Sequence, residues 1–113
     1  MKRDTRLFVK DILENIDNIK SFSKGLTKNR FASDKLRQNA IIRCLEIVGE
    51  AVKNIPDSFR EKYPNIPWKK IAGFRDILTH AYFGVNLDRI WNIIEKDLSG
   101  LEKEIRKINL TKL

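Results

Sequence analysis

The chain has 113 residues and a mass of 13.3 kDa, which suffices for one hydrophobic core, so residues 1–113 are expected to form a single domain. Hydrophobic residues make up 42% and charged residues 34%, a balance typical of a folded globular protein. No run approaches the roughly 18 apolar residues of a membrane span, and the charged N-terminus lacks the apolar region of a signal peptide. The sequence therefore predicts a cytoplasmic protein without a membrane partner.

The formal net charge is +8 at pH 7, and residues 1–30 contribute +4 of it, from eight Lys/Arg and four Asp/Glu. Such a segment is able to attract RNA or an acidic protein, although a solvated helix face explains it equally well. Cys44 is the only cysteine, which excludes an internal disulfide and a cysteine-based zinc site. Its apolar neighbours indicate a small buried hydrophobe, and we expect neither a metal nor a cofactor.

The first predicted helix runs from Asp4–Thr5 to Lys24 and stops at Gly25. Its apolar stripe has helical spacing and consists of Phe8, Val9, Ile12, Leu13, Ile16, Ile19 and Phe22. A basic loop over 26–32 then leads to Ser33, the expected N-cap of the second helix.

The second predicted helix extends to about Asn54 and is closed by Ile55-Pro56. Its expected core face comprises Leu36, Ala40, Ile41, Cys44, Leu45, Val48, Ala51 and Val52. On the opposite face, Arg43, Glu46 and Glu50 stand at i, i+3 and i+7. Such a row is usually a solvated ion-pair ladder, and here a functional role is about equally plausible.

Residues 57–66 allow one or two short turns, and Pro67 suits the first position of a further helix. That helix is expected to direct Trp68, Ile71, Phe74 and Leu78 inward. Asn86 caps the last predicted helix, whose apolar residues are Leu87, Ile90, Trp91, Ile94, Leu98, Leu101, Ile105 and Ile108. The sequence thus predicts an all-α antiparallel bundle of four longer helices and one short helix.

The most informative segment is 75–82, Arg-Asp-Ile-Leu-Thr-His-Ala-Tyr, which has the pattern R-x4-H-x-Y. The planar guanidinium of Arg75 suits phosphate oxygens, and His80 is the only histidine, the residue type that serves most often as an acid or base near neutral pH. In a basic chain, this pair indicates chemistry on nucleic acid. A lone histidine near a helix end is nevertheless more often a capping or partly buried residue.

The spacing of the pair also sets a geometric problem. In a straight helix, His80 lies about 140° around the axis from Arg75, so one ideal helix cannot direct both side chains at the same phosphate. Either the helix unwinds near Thr79–His80, or a second chain completes the site.

Three segments together resemble the HepT-type toxins, which are RNases with a HEPN domain. They are the R-x4-H-x-Y run, the stretch 63–71 (Tyr-Pro-Asn-Ile-Pro-Trp-Lys-Lys-Ile) and the stretch 43–51 (Arg-Cys-Leu-Glu-Ile-Val-Gly-Glu-Ala). The resemblance covers about residues 33–98. It implies a HEPN-like fold, a homodimer whose motifs meet in a shared cleft, and metal-independent cleavage of RNA through its 2′-hydroxyl.

The resemblance also assigns roles to individual residues. It implies that Arg75 and His80 are catalytic, with Asp76 as the polar residue that follows the arginine. Asp76 could support them by orienting an arginine or histidine, and a role as a helix salt-bridge partner explains it equally well. We further expect a packed helix contact at Gly49, with the row Arg43, Glu46 and Glu50 bordering the dimer cleft.

The same resemblance implies a partner, an MNT-type nucleotidyltransferase antitoxin that silences the toxin by attaching AMP to Tyr82. Two alternatives stay open at this point. The chain could be a non-catalytic HEPN subunit that binds a small nucleotidyltransferase or its substrate, or a basic bundle that binds RNA or DNA by charge alone. The intact Arg75 and His80 pair favours the enzyme.

Overall fold

The computed structural model describes residues 4–79 and 86–108, and within the helix that ends at Thr79 it describes side chains as far as Asp76. These residues contain helices and no strand, so the all-α prediction is confirmed. The helices are α1 (Thr5–Ser23), α2 (Lys28–Ser33), α3 (Lys35–Lys53), α4 (Asp57–Arg60), α5 (Trp68–Ala72), α6 (Phe74–Thr79), α7 (Leu87–Asn92), the π-helical segment Ile93–Asp97, and α8 (Leu98–Arg106). Among them, none has the combined length and apolarity that a membrane crossing requires.

Helices α1 and α3 pack against each other in antiparallel orientation and form the frame of the molecule. Their contact buries an aliphatic stripe from each helix, which includes Ile12, Ile16, Ile41, Leu45 and Val48. Burial of aliphatic side chains is the main favourable term in such packing, at about 25 cal/mol per Å² of apolar surface. The stripes predicted from helical periodicity therefore hold in the middle of both helices.

Cys44 lies within this core, as predicted. Burial raises the pKa of its thiol, an effect that the nearby Arg43 charge only partly opposes. The thiol consequently stays protonated near neutral pH and packs as a small apolar group.

Two residues predicted to lie in the core are instead exposed. Leu36 is 82% exposed and Phe22 is 37% exposed. Leu36 stands five residues before Ile41, which places it about 140° around the α3 axis from the buried stripe. Phe22 lies in the last turn of α1, at the margin of the α1–α3 contact.

The prediction of a loop over 26–32 with Ser33 as a cap is wrong. Thr27 Oγ1 accepts a hydrogen bond from the Arg30 backbone N–H at 3.2 Å and begins α2 within the expected loop. The Ser33 hydroxyl donates back to the Arg30 carbonyl at 3.2 Å, so this residue belongs to the end of α2. Asp34 caps α3 instead, and its Oδ1 accepts from the Arg37 backbone N–H at 3.0 Å.

The single helix predicted from Pro67 is divided at Gly73 into α5 and α6. Glycine has a low helix propensity, and its N–H bonds to the Lys69 carbonyl to close α5. Trp68, Ile71 and Phe74 are buried as predicted, whereas the side chain of Leu78 lies outside the described residues.

The last predicted helix begins after the Asn86 cap as expected, but its middle is π-helical. A π-helical turn takes up an additional residue and shifts the buried face. Ile93 is buried as a result, while the predicted core residue Ile94 is only partly buried. Beyond this segment, Leu98, Leu101, Ile105 and Ile108 are buried as predicted.

Substitution of the two adjacent residues Ser33 and Asp34 tests which of them caps α3. We expect Asp34→Ala to lower the urea midpoint of unfolding at neutral pH, while Ser33→Ala leaves it nearly unchanged. The hydrogen bonds from the Arg37 backbone and side chain lower the pKa of Asp34, so its stabilising effect is present above its unfolded pKa. The difference between Asp34→Ala and the parent should therefore shrink as the pH falls through the lowered pKa. Equal effects of the two substitutions at neutral pH would contradict the assignment.

Candidate active site

The start of α6 lies directly against α3 at Gly49. A Cβ atom built on Gly49 would be 3.0 Å from the backbone nitrogen of Arg75 and 3.1 Å from its Cβ atom. These distances are tighter than nearly all contacts of real Cβ atoms, so a residue with a side chain cannot stand at position 49 without displacing Arg75. The predicted helix contact at Gly49 is confirmed, and the residue it contacts is the arginine of the R-x4-H-x-Y run.

The next residue of α3 holds the side chain of the same arginine. Arg75 Nη1 lies 3.1 Å from Glu50 Oε2, and the two side chains are 43% and 53% exposed. A half-exposed ion pair adds little to the free energy of unfolding. Its main consequence is geometric, because the backbone of Arg75 lies against α3 at Gly49 and its guanidinium has the Glu50 carboxylate as one partner.

Arg75 also borders a surface hollow of about 440 Å³ between α1, α3 and α6. We call it the Arg75 hollow, and it is lined by Phe8, Asp11, Arg43, Glu46, Ile47, Glu50, Ala51 and Arg75. The row predicted on α3 is thus brought together with the motif arginine. Within that row, Arg43 Nη1 pairs with Glu46 Oε1 at 3.2 Å. That the row borders a dimer cleft stays a prediction.

Two residues of the hollow come from α1 and were not predicted as site residues. Phe8 belongs to the predicted core stripe and is partly buried, and Asp11 is one of four acidic residues in the N-terminal third. Neither belongs to a motif, and their proximity to Arg75 arises from the antiparallel packing of α1 on α3. No local sequence signal distinguishes them from other residues of α1.

The structure describes only one of the three remaining predicted site residues. Asp76 is exposed in the first turn of α6, where a carboxylate stabilises a helix, and its supporting role stays a prediction. His80 and Tyr82 lie outside the described residues. Three carboxylates line the Arg75 hollow, yet over residues 4–79 and 86–108 no group of three or more His, Cys, Asp or Glu is arranged to hold a metal ion.

Comparison with known proteins identifies the family of this chain. The chain matches the family described as "Ribonuclease HepT-like" over residues 12–108. It is 42% identical over 108 residues to a protein of Thermococcus cleftensis named "Probable ribonuclease HepT", covering 96% of this chain and 98% of the relative. It is also 48% identical over 107 residues to a protein of Methanocaldococcus jannaschii named as a putative RNase, covering 95% of this chain and 88% of that relative.

A third relative is longer than this chain. It is a Methanocaldococcus jannaschii protein named as a gamma-glutamylcyclotransferase and putative RNase, 46% identical over 108 residues, and the chain spans 49% of its length. No solved structure matches the chain significantly. The family match covers most of the chain, and the identities to relatives exceed 40%. The chain therefore belongs to the HepT-like ribonuclease family.

The close approach at Gly49 predicts opposite effects at two helical glycines. Gly49→Ala should lower the free energy of unfolding by about 1–3 kcal/mol, because the new methyl group overlaps the backbone of Arg75. Gly100→Ala is the matched control: a Cβ there meets no atom within 4 Å, so higher helix propensity should raise stability by about 0.5–1 kcal/mol. Urea denaturation measures both changes. A Gly49→Ala protein as stable as the parent would show that α6 does not depend on this contact.

Proposed function

We propose that this chain is a metal-independent endoribonuclease in which Arg75 and His80 act on the phosphodiester of RNA. The observation that carries the proposal is the placement of Arg75. In a chain of the HepT-like ribonuclease family, this arginine packs against Gly49 through its backbone and pairs with Glu50 through its half-exposed guanidinium, at the border of an open hollow. A half-exposed arginine in a preset orientation is suited to bind a phosphate oxygen.

The chemistry follows from the nature of RNA. The 2′-oxygen attacks phosphorus and the bond to the 5′-oxygen breaks, which leaves a 2′,3′-cyclic phosphate and a 5′-hydroxyl end. The reaction needs a base for the 2′-hydroxyl proton, an acid for the departing 5′-oxygen, and positive charge beside the phosphorane. In our proposal His80 supplies acid or base catalysis. Arg75 stabilises the phosphorane oxygens through its planar fork of N–H groups.

The proposal predicts a specific loss of activity. Purified protein should cut RNA in the presence of EDTA, yield 2′,3′-cyclic phosphate ends and leave DNA intact, because DNA has no 2′-hydroxyl. Arg75→Ala and His80→Ala should each reduce the cleavage rate by roughly 10²-fold or more while the helical circular dichroism spectrum is kept. A parent protein that binds a nucleotidyltransferase but never cuts RNA would instead support the non-catalytic subunit.

We also propose that the enzyme is a homodimer with shared sites, because one chain has a single histidine, which an ideal helix would place about 140° around its axis from Arg75. The same two variants test this arrangement when they are mixed. If Arg75 and His80 of one site come from different subunits, a dimer of Arg75→Ala with His80→Ala contains one intact site and recovers part of the activity. Light scattering should give about twice 13.3 kDa. A monomer that cleaves RNA would contradict the dimer.

Finally, we propose that the chain is the toxin of a HEPN/MNT pair and that AMP attached to Tyr82 silences it. Each AMP adds a phosphodiester charge two residues from His80, where it would compete with RNA for Arg75. Coexpression with an MNT-type nucleotidyltransferase and ATP should add discrete AMP increments in the mass spectrum and lower RNA cleavage. Tyr82→Phe should stay folded and active but escape both effects. Silencing of this variant equal to that of the parent would refute the role of Tyr82.

A further inference from the structure

The Arg75 hollow does not attract RNA by its own net charge. Over its described lining, the carboxylates of Asp11, Glu46 and Glu50 face the guanidiniums of Arg43 and Arg75, which is three negative charges against two positive ones. Nonspecific affinity for nucleic acid comes from cations that replace the counterions of phosphates. The described lining of the hollow carries no positive excess for this purpose, whereas exposed cations lie elsewhere among the described residues.

The basic N-terminal third is not one continuous cationic surface. Arg6 pairs with Asp4, and Lys20 pairs with Glu102 of α8. These pairs neutralise positive charge along α1, whereas the end of that helix has a different environment.

Exposed cations gather where α1 ends, around α2, and where α3 begins. We call this region the basic corner, and its cations are Lys24, Lys28, Arg30, Lys35 and Arg37. Four of the five line a hollow of about 410 Å³. The corner owes this arrangement to the unpredicted helix α2, which brings Arg30 beside the first residues of α3.

Acidic groups neutralise the basic corner only in part. Arg37 pairs with Asp34 at 2.8 Å, and Lys28 pairs with Asp88 at 3.3 Å. In the part of the chain that the structure describes, no carboxylate lies within 4.0 Å of the charged groups of Lys24, Arg30 or Lys35. Five cations against two carboxylates leave a net charge of +3 in one exposed region.

We infer that the basic corner binds the phosphate backbone of RNA at a distance from the cleavage site. The inference builds on the proposed function, since it identifies how the substrate is held. Lys24 follows Phe8 of the Arg75 hollow by sixteen residues, which corresponds to about 24 Å along α1. An RNA of several nucleotides is long enough to contact both regions, whereas a dinucleotide is not.

The composition of the corner favours a polyanion over a protein partner. The centre of a protein–protein interface is depleted of lysine and acidic residues and enriched in aromatic side chains, methionine and arginine, and three of the five corner cations are lysines. The hollow of the corner is lined mostly by charged and small polar residues, and Leu26 is the one large apolar residue in that lining. Flexible lysine and arginine side chains around a polar hollow match phosphates instead.

The first experiment measures binding without cleavage. His80→Ala protein is titrated against a fluorescent single-stranded RNA of about twenty nucleotides, with and without Lys24→Gln, Arg30→Gln and Lys35→Gln, over a series of salt concentrations. The three corner substitutions should weaken binding roughly tenfold or more at low salt and reduce the slope of log K against log [salt] by about 2. The control replaces Lys62, Lys96 and Lys103 by glutamine; these lysines are exposed outside the basic corner, and their loss should change the affinity much less.

The second experiment measures cleavage with His80 intact. The corner variant should raise KM for the long RNA and leave kcat nearly unchanged, while its cleavage of a dinucleotide equals that of the parent. A corner variant that binds RNA with the affinity and salt slope of the parent would overturn the inference. The corner would then be a binding site for an acidic protein or a merely solvated surface. If the parent does not cut RNA, the proposed nuclease fails, yet the binding measurement still decides whether the corner holds RNA.

Discussion

The contact between Gly49 and the backbone of Arg75 is the constraint on which the candidate active site depends. Because position 49 has no side chain, α6 begins within van der Waals distance of α3, and the following residue, Glu50, meets the Arg75 guanidinium. One turn of α3 therefore contacts both the backbone and the guanidinium of the motif arginine. A bulkier residue at position 49 would move the arginine relative to the hollow even if the bundle still folded.

The break at Gly73 makes this contact compatible with the core. Helix α5 is fixed by buried Trp68, whose indole N–H donates to the Tyr63 carbonyl at 3.0 Å, and by buried Ile71. After Gly73 the chain starts a new helix, in which Phe74 enters the core and the adjacent Arg75 reaches the surface. Phe74 thus anchors α6 in the core, and the adjacent Arg75 carries the proposed chemistry.

The carboxylates near Arg75 and the cluster of exposed cations lie in different regions of the molecule. The carboxylates of Asp11, Glu46 and Glu50 line the Arg75 hollow and offset the positive charge of Arg43 and Arg75 there. The excess of cations lies at the opposite end of the α1–α3 pair, in the basic corner. If the chain cleaves RNA as proposed, the basic corner is the region whose charge suits long-range attraction of the substrate.

The sequence by itself determined the all-α class, the middle of the apolar stripes of α1 and α3, the Asp4 and Asn86 caps, and the family of the chain. These features could be predicted because periodicity, caps and motifs are local properties of the chain. It also anticipated a helix contact at Gly49, though not that Arg75 is what meets it. Tertiary structure decided the rest. Ser33 and Asp34 are both good caps, and only the presence of α2 assigned the role to Asp34. Likewise, the antiparallel packing of α1 on α3 brings Asp11 and Phe8 to Arg75, and Lys24 to Lys35. No local pattern in the sequence encodes which distant residues this packing brings together.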